Sequence, residues 1–243
     1  MVDVSGRPQH YQKVILALRY AGELDKALEA LQRWSAQEPQ NADLYYQQAL
    51  IQCVLSPNDA VPLLDQAARY DLSLLNKVNI LKQAVAIRAT AHDQAYHLVV
   101  MGRALGSLNE WDLAHQSFQQ AVNVKPDYAE AWAFLSEAGY QMGLDEYDSL
   151  KKALSLNPNS VSALSFAGLY WMRKDHPELA YTYFYQLTRI EPQNALWRFQ
   201  TGDALAQMGQ PIYGMVHYQK GLALEPEDPQ SWRLMAAYCL KYH

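Results

Sequence analysis

The amino-acid sequence predicts an all-α protein built from tandem pairs of helices, and three observations support this prediction. Apolar residues recur at spacings of three and four along the chain, which is the pattern of amphipathic helices. The alternation of apolar and polar residues that marks a half-buried strand is rare. Several positions also repeat with a period close to 34 residues, which indicates one structural unit copied along the chain.

Each repeating position has a physical role in a pair of packed helices. A small residue in the first helix lets the second helix approach closely, and a small residue in the second helix does the same from the other side. An aromatic residue one turn later fills the space around that contact. A proline ends the pair, because it disfavours helix at the residue before it. The recurring residues are Gly102, Gly168 and Gly202; Ala114, Ala180 and Gly214; Phe118, Phe184 and Tyr218; and Pro126, Pro158, Pro192 and Pro226.

This arrangement resembles the tetratricopeptide repeat (TPR) family, whose repeat has a period of 34 residues and ends in a proline. Residues 95–128 match the pattern best, and in two later repeats Pro177 or Pro211 begins the second helix, where a missing N–H costs nothing. The resemblance implies a right-handed α-solenoid of about six helix-turn-helix repeats with an extra helix and a terminal helix. It places two degenerate repeats at 8–72 and four repeats at 95–228.

Two segments do not form a complete repeat. Residues 73–94 have the pattern of one long helix that is apolar on two sides, so we expect an extra helix there. It is a rigid wedge if it packs against both neighbours and a hinge if it does not. Residues 229–243 supply only a first helix, with Ala236 and Cys239 in core positions. We expect either that the array continues beyond this chain, which we favour, or that the last helix serves as the cap a solenoid needs.

The resemblance also implies where a partner binds. In TPR proteins the first helices line a concave groove, which holds extended peptides or helices of partner proteins. Several of these positions here carry tyrosine or arginine, which are enriched at binding hot spots. The lysine–asparagine pairs with which some members clamp chaperone tails are missing. The N-terminal positions are Gln12, Arg19, Tyr46 and Leu50, and the C-terminal positions are Tyr96, Val99, Arg103, Ala133, Glu137, Tyr140, Ser165, Leu169, Arg173, Phe199, Asp203 and Gln207, with Arg233 and Lys241 extending the row.

Composition and motifs argue against other classes of function. The net charge is −5 and the 20 basic residues are scattered, so we do not expect nucleic acid as a ligand. No apolar run reaches the roughly 20 residues of a membrane span. The N-terminus has no signal-peptide core, so we expect a cytoplasmic protein. No metal-ligand, phosphate-binding or nucleophile motif occurs, so we expect no metal, no cofactor and no catalytic residue.

The sequence therefore predicts a scaffold or adaptor that binds a peptide or partner protein in its concave groove. An alternative stays open, in which the array is the regulatory or substrate-docking arm of a larger enzyme such as a glycosyltransferase or a kinase. Self-association through an exposed end of the array is a third possibility, because unfilled ends of a solenoid are apolar surfaces.

Overall fold

The computed structural model describes residues 8–88 and 93–242 of the 243-residue chain. Within these ranges the secondary structure is helical, with a short 3₁₀ turn at Leu72–Leu74 and no strand. The predicted all-α class is therefore confirmed. The helices are α1 (Pro8–Tyr20), α2 (Leu24–Ser35), α3 (Ala42–Leu55), α4 (Pro57–Tyr70), α5 (Leu75–Arg88), α6 (Gln94–Ser107), α7 (Trp111–Val124), α8 (Ala129–Gln141), α9 (Tyr147–Leu156), α10 (Val161–Arg173), α11 (Pro177–Ile190), α12 (Ala195–Gln207), α13 (Pro211–Leu224) and α14 (Pro229–Tyr242).

Within each compact part of the chain, helices that follow one another pack together. The closest packing joins α3 to α4, α6 to α7, α10 to α11 and α12 to α13. The chain forms two compact units that divide between Glu146 and Tyr147, which we call unit 1 and unit 2. Each unit contains helix pairs of the same kind, so both have the architecture of an all-α solenoid.

Local signals in the sequence fix where many helices begin. A short polar side chain accepts a hydrogen bond from a backbone N–H of the first turn, which satisfies a donor that the helix itself leaves unpaired. Other helices, among them α4, α11 and α13, begin with a proline, whose ring suits the first helical position. The capping residues are Asn41, Asp93, Ser160 and Asn194, and the prolines are Pro57, Pro177 and Pro211.

An aromatic ring pressed on a glycine holds the two helices of a pair together. A methyl group on Gly102 would lie 2.5 Å from the ring of Phe118, and one on Gly202 would lie 2.6 Å from the ring of Tyr218. Gly168 and Phe184 make the same contact. These rings are almost fully buried, so the small residue and the aromatic residue that recur in the sequence are two sides of one contact.

The turn that leads from one helix pair to the next is closed in three places by the same side-chain bond. An aromatic donor in the first turn of a helix bonds to the backbone carbonyl of a proline six residues earlier. This bond ties the start of one pair to the end of the previous one. The donors and acceptors are Tyr45 to Pro39 at 2.9 Å, Trp132 to Pro126 at 2.9 Å and Trp232 to Pro226 at 2.8 Å.

The extra helix α5 packs against both α4 and α6. Of the two roles considered for this segment, packing on both sides favours a rigid wedge. Leu81 and Val78 are buried on one side, whereas Ile80 on the second apolar side is 37% exposed. Residues 89–92, which belong to the predicted extra segment 73–94, lie outside the described residues. The boundaries given above for this segment and for the repeats stay predictions.

None of the helices in the described ranges is both long enough and apolar enough to cross a membrane.

The glycine contact gives a test of the packing. We expect Gly168→Ala to lower the free energy of unfolding by about 1–3 kcal/mol, because the added methyl group overlaps the buried ring of Phe184. Gly139→Ala is the matched control, since there the methyl group meets the partly exposed side chain of Glu146 and not a buried ring. Urea denaturation followed by circular dichroism measures both variants. Equal stability of the two variants would show that the ring contact does not set the spacing of the pair.

Candidate functional site

Four of the predicted groove residues form a patch on the adjacent first helices α6 and α8 of unit 1. Tyr96 is 42% exposed and Tyr140 is 37% exposed, so both offer ring surface. Arg103 is exposed, and its guanidinium carbon lies 5.3 Å from the centre of the Phe134 ring across the two helices. Glu137, which is partly buried, accepts a hydrogen bond from Gln141 at 2.8 Å. We call Tyr96, Arg103, Glu137 and Tyr140 the α6–α8 patch.

The α6–α8 patch combines a restrained, positively charged arginine side chain with exposed aromatic surface. Stacking on Phe134 restrains the guanidinium of Arg103, so less side-chain freedom is lost when it binds a ligand. A guanidinium presents donors in a planar fork, which matches a carboxylate with two parallel bonds. The patch can therefore bind a chain segment that carries a carboxylate next to apolar or aromatic groups.

A surface ion pair ties the start of α6 to the turn before α8. Asp93 caps α6 and accepts a hydrogen bond from Lys125 at 2.8 Å. This bond from Lys125, together with bonds from backbone N–H groups of α6, lowers the pKa of the Asp93 carboxyl. Lys125 also lies over the ring of Tyr128, 5.3 Å from its centre. The N-terminal ends of α6 and α8 are therefore joined by an ion pair as well as by apolar packing.

The predicted groove residues of unit 2 lie on α10 and α12. Arg173 and Gln207 are exposed, while Leu169 is partly buried against the apolar core of the unit. Asp203 accepts a hydrogen bond from the hydroxyl of Tyr218 at 2.8 Å. Burial raises the pKa of the Asp203 carboxyl, although the bond from Tyr218 and the charge of Lys241 act in the opposite direction. One of its oxygens is thus already engaged within the unit.

Several predicted groove residues are buried and offer no surface to a ligand. Tyr46 and Phe199 are 3% exposed and Val99 is 2% exposed. Each lies three residues before the small residue of its helix, which is Ala49, Gly102 or Gly202. Residues three apart share one side of a helix, so these side chains turn toward the core with the small residue. The structure corrects the predicted groove at these three positions and at Ala133, which is completely buried three residues before Ser136, and we leave all four out of the proposed binding surface.

Arg19 is the centre of a buried polar network that the sequence did not reveal. Its side chain is 3% exposed, and it donates two hydrogen bonds of 2.8 Å to the carboxylate of Asp112. It also donates to Glu110 at 2.5 Å and to Gln47 at 2.8 Å, and its backbone carbonyl accepts from Gln116 at 2.8 Å. Burial alone would lower the pKa of Arg19, but the hydrogen bonds and charges of Asp112 and Glu110 outweigh this and raise it.

The network covers the N-terminal part of the predicted groove. Arg19 and Asp112 are 93 positions apart in the sequence, and their pairing brings α1 and α3 against α7. Leu50, another predicted N-terminal position, is completely buried. The 34-residue period could not predict this contact, because it joins positions that are not equivalent in the repeat. The only signal was a carboxylate placed directly before the core residues Leu113 and Ala114.

Histidines and carboxylates in the described ranges form pairs and not larger groups. His115 and Glu146 are joined at 2.5 Å, and His176 and Glu178 at 3.3 Å. Across residues 8–88 and 93–242 no group of three or more metal-ligating side chains could hold a metal ion.

Solved structures share the fold of this chain. One is YrrB, described as a TPR protein with an unusual peptide-binding site; it has 16% sequence identity, a TM-score of 0.50, and the match covers 85% of this chain and 97% of that one. Another comes from the APC/C hetero-tetramer Cut9–Hcn1, with 15% identity and a TM-score of 0.54 over 99% of this chain and 44% of that one. No protein-family model and no curated protein matches. The TPR-type fold that the repeat pattern predicts is therefore confirmed.

The buried network gives a test of how unit 1 is held together. We expect Arg19→Met to lower the free energy of unfolding by about 3–5 kcal/mol, because it leaves the carboxylate of Asp112 buried without a partner. The double variant Arg19→Met/Asp112→Leu should be clearly more stable than the single variant. Urea denaturation of both variants and of the unmodified chain measures this difference.

An exposed ion pair is the control for this measurement. Lys26 and Glu23 are joined at 2.9 Å on the surface, so Lys26→Met should cost less than about 1 kcal/mol. If the effects of Arg19→Met and Asp112→Leu were simply additive, the two side chains would not act as a pair.

Proposed function

We propose that this chain, which has the TPR fold, is a protein-interaction scaffold that holds an extended segment of a partner protein on the α6–α8 patch. The observation that carries the proposal is the restrained guanidinium of Arg103 on α6, which shares that helix with the exposed ring of Tyr96 and lies over Phe134 of α8, the helix that carries the exposed ring of Tyr140. Aromatic residues and arginine are the side chains on which binding energy concentrates in protein interfaces.

The chemistry of the patch suggests the kind of segment it holds. Arg103 favours a carboxylate, and the tyrosine rings favour apolar groups on either side of it. We infer a peptide in which an acidic residue stands among apolar residues. YrrB, which shares the fold, has a peptide-binding site. That resemblance supports a peptide as the ligand class but assigns no residue.

The proposal gives the chain no catalytic role. The charged clusters within the described ranges act as structural links, as Arg19 with Asp112 and Lys125 with Asp93 show. Leu169, Arg173, Asp203 and Gln207 in unit 2 stay predicted members of a second contact surface. No observation in the structure favours an enzyme arm over a free scaffold, so we propose the scaffold alone.

Photo-crosslinking at matched tyrosines tests the location of the patch. A photoreactive amino acid placed at position 96 or 140 should crosslink to a partner in the source cell, because both side chains lie in the patch. Tyr70, which is 45% exposed on the second helix α4, is the control, since its exposure is similar and only its location differs. Crosslinks at position 70 with none at 96 and 140 would move the site away from α6 and α8.

Charge reversal tests the role assigned to Arg103. Arg103→Glu should weaken binding of the crosslinked partner about tenfold or more, because the carboxylate of the partner would then meet a like charge. Lys152→Glu makes the same change in charge at an exposed position on α9 and should leave binding unchanged. Surface plasmon resonance with the identified partner segment measures both. A partner that binds Arg103→Glu as tightly as the unmodified chain would refute the proposal.

A further inference from the structure

A cleft stays open in unit 1 beside the buried network of Arg19. It has a volume of about 260 Å³ and lies between α1, α2, α3 and Glu110, the residue that directly precedes α7. We call it the N-terminal cleft. The residues that line it all belong to unit 1, and they are Gln12, Ile15, Leu16, Arg19, Trp34, Asp43, Gln47 and Glu110.

The guanidinium of Arg19 lines this cleft, but its hydrogen bonds are used within the chain. It donates twice to Asp112 and once each to Glu110 and Gln47. Its side chain is also 3% exposed. Arg19 is therefore not the group that binds a ligand here, and its positive charge is already offset by the carboxylates around it.

Two carboxylates of the cleft keep unused hydrogen-bonding capacity. Asp43 is partly buried, and in the described part of unit 1 its carboxylate has no hydrogen bond and no ion pair. Glu110 is 21% exposed and uses one oxygen, Oε2, to bind Arg19. Together with Asp112, these carboxylates outnumber the single positive charge of Arg19. The cleft therefore carries an excess of two negative charges.

The hydroxyl of Tyr46 lies near these charges and does not neutralise them. Burial raises the pKa of Tyr46, the charge of Glu110 raises it further, and the charge of Arg19 acts in the opposite direction. The hydroxyl nevertheless has no hydrogen-bond partner among the described residues. A buried polar group of this kind is uncommon, and here it leaves the second oxygen of Glu110 without a bond from the nearest hydroxyl.

The other walls of the cleft are apolar. Ile15 and Trp34 are each 3% exposed, and Leu16 is 49% exposed. The ring of Trp34 is stacked on Tyr11 with 5.3 Å between the ring centres, which restrains it. Lysine and arginine side chains combine a long aliphatic stem with a charged head. A cleft with apolar walls and two available carboxylates matches both parts of such a side chain.

We propose that the N-terminal cleft binds the side chain of a lysine or arginine that belongs to a partner protein. The aliphatic stem lies against Leu16 and Trp34, and the charged head donates hydrogen bonds to the carboxylates of Asp43 and Glu110. This site goes beyond the function proposed for the α6–α8 patch, because it prefers the opposite charge. It does not depend on that patch.

Neither a metal ion nor an anion suits the same cleft. Over residues 8–88 and 93–242 no group of three or more metal-ligating side chains could hold a metal ion, and both oxygens of Asp112 are bound to Arg19. An anion would meet the excess of negative charge. A single positive charge on an apolar stem is the group that satisfies the carboxylates and the walls together.

Four small probes test the proposal with the full chain. The amides of Nα-acetylarginine and Nα-acetyllysine carry the charge, and those of Nα-acetylcitrulline and Nα-acetylnorleucine have a similar shape without it. Binding is followed by NMR at the indole N–H of Trp34, whose signal is identified with Trp34→Phe. We expect each charged probe to bind about tenfold more tightly than its uncharged counterpart, because only the charged head forms ion pairs in the cleft.

Variants with matched controls test the location. Asp43→Asn should weaken the arginine probe about fivefold or more and should leave the fold intact, since the carboxylate has no partner to lose. Asp59→Asn makes the same change in the first turn of α4, outside the cleft, and should leave binding unchanged.

A lysine introduced at the cleft gives a second, independent test. Leu16→Lys should block the probe, because its own ammonium group can reach the carboxylates. Ala17→Lys, at an exposed position of the same helix that does not line the cleft, should have no effect. The helical circular dichroism signal checks that each variant is folded.

Three results would overturn the proposal. Equal affinity for arginine and citrulline probes would show that charge is not recognised. Unchanged binding by both Asp43→Asn and Leu16→Lys would place the probe elsewhere. Equal loss of binding in Asp59→Asn and Asp43→Asn would show that the cleft is not selective. Arg103→Glu should leave the affinity for the arginine probe unchanged, so failure here is distinguishable from failure of the function proposed for the α6–α8 patch.

Discussion

The contact between an aromatic ring and a glycine sets the spacing and the facing sides of the two helices in each regular pair. Because no methyl group fits between Gly102 and Phe118, the side of α6 that faces α7 is fixed. The orientation of the rest of α6 is then fixed as well, including the adjacent side that carries Tyr96 and Arg103. Val99 lies three residues before Gly102 and is drawn into the core with it. The exposure of the residues in the proposed α6–α8 patch is thus a consequence of the packing within the pair.

Unit 1 adds a second constraint that a simple array would not have. The Arg19 guanidinium joins α1 to the start of α7, so residues far apart in the sequence share one buried network. A buried ion pair is not in itself a large source of stability, since both charges lose their water. Its effect is specificity of arrangement, because Arg19 is fully bonded only when Glu110, Asp112 and Gln47 surround it. The network holds the N-terminal helices in one position, and it buries Arg19, which was predicted to line the groove there.

The sequence predicted the features that depend on local and periodic signals. Helix starts at Pro177 and Pro211 and the ring contacts at Gly102 and Gly168 follow from residue types at fixed spacings. The sequence did not predict the network at Arg19, because the pairing arises only when distant helices meet. The period identifies which helix carries a predicted groove residue but leaves its burial to the neighbouring helices, so the burial of Tyr46, Val99 and Phe199 was not predicted.

The bonds from aromatic donors to proline carbonyls limit how such a chain can change in length during evolution. Donor and acceptor are six residues apart at Trp132 and at Trp232, and one inserted or deleted residue in either stretch would separate them. Insertions elsewhere fall in turns without this bond, such as that at Gly209, where the backbone is left-handed and exposed. Length variation among descendants of this chain is therefore expected to avoid the three joints that carry this bond and to fall in turns that lack it.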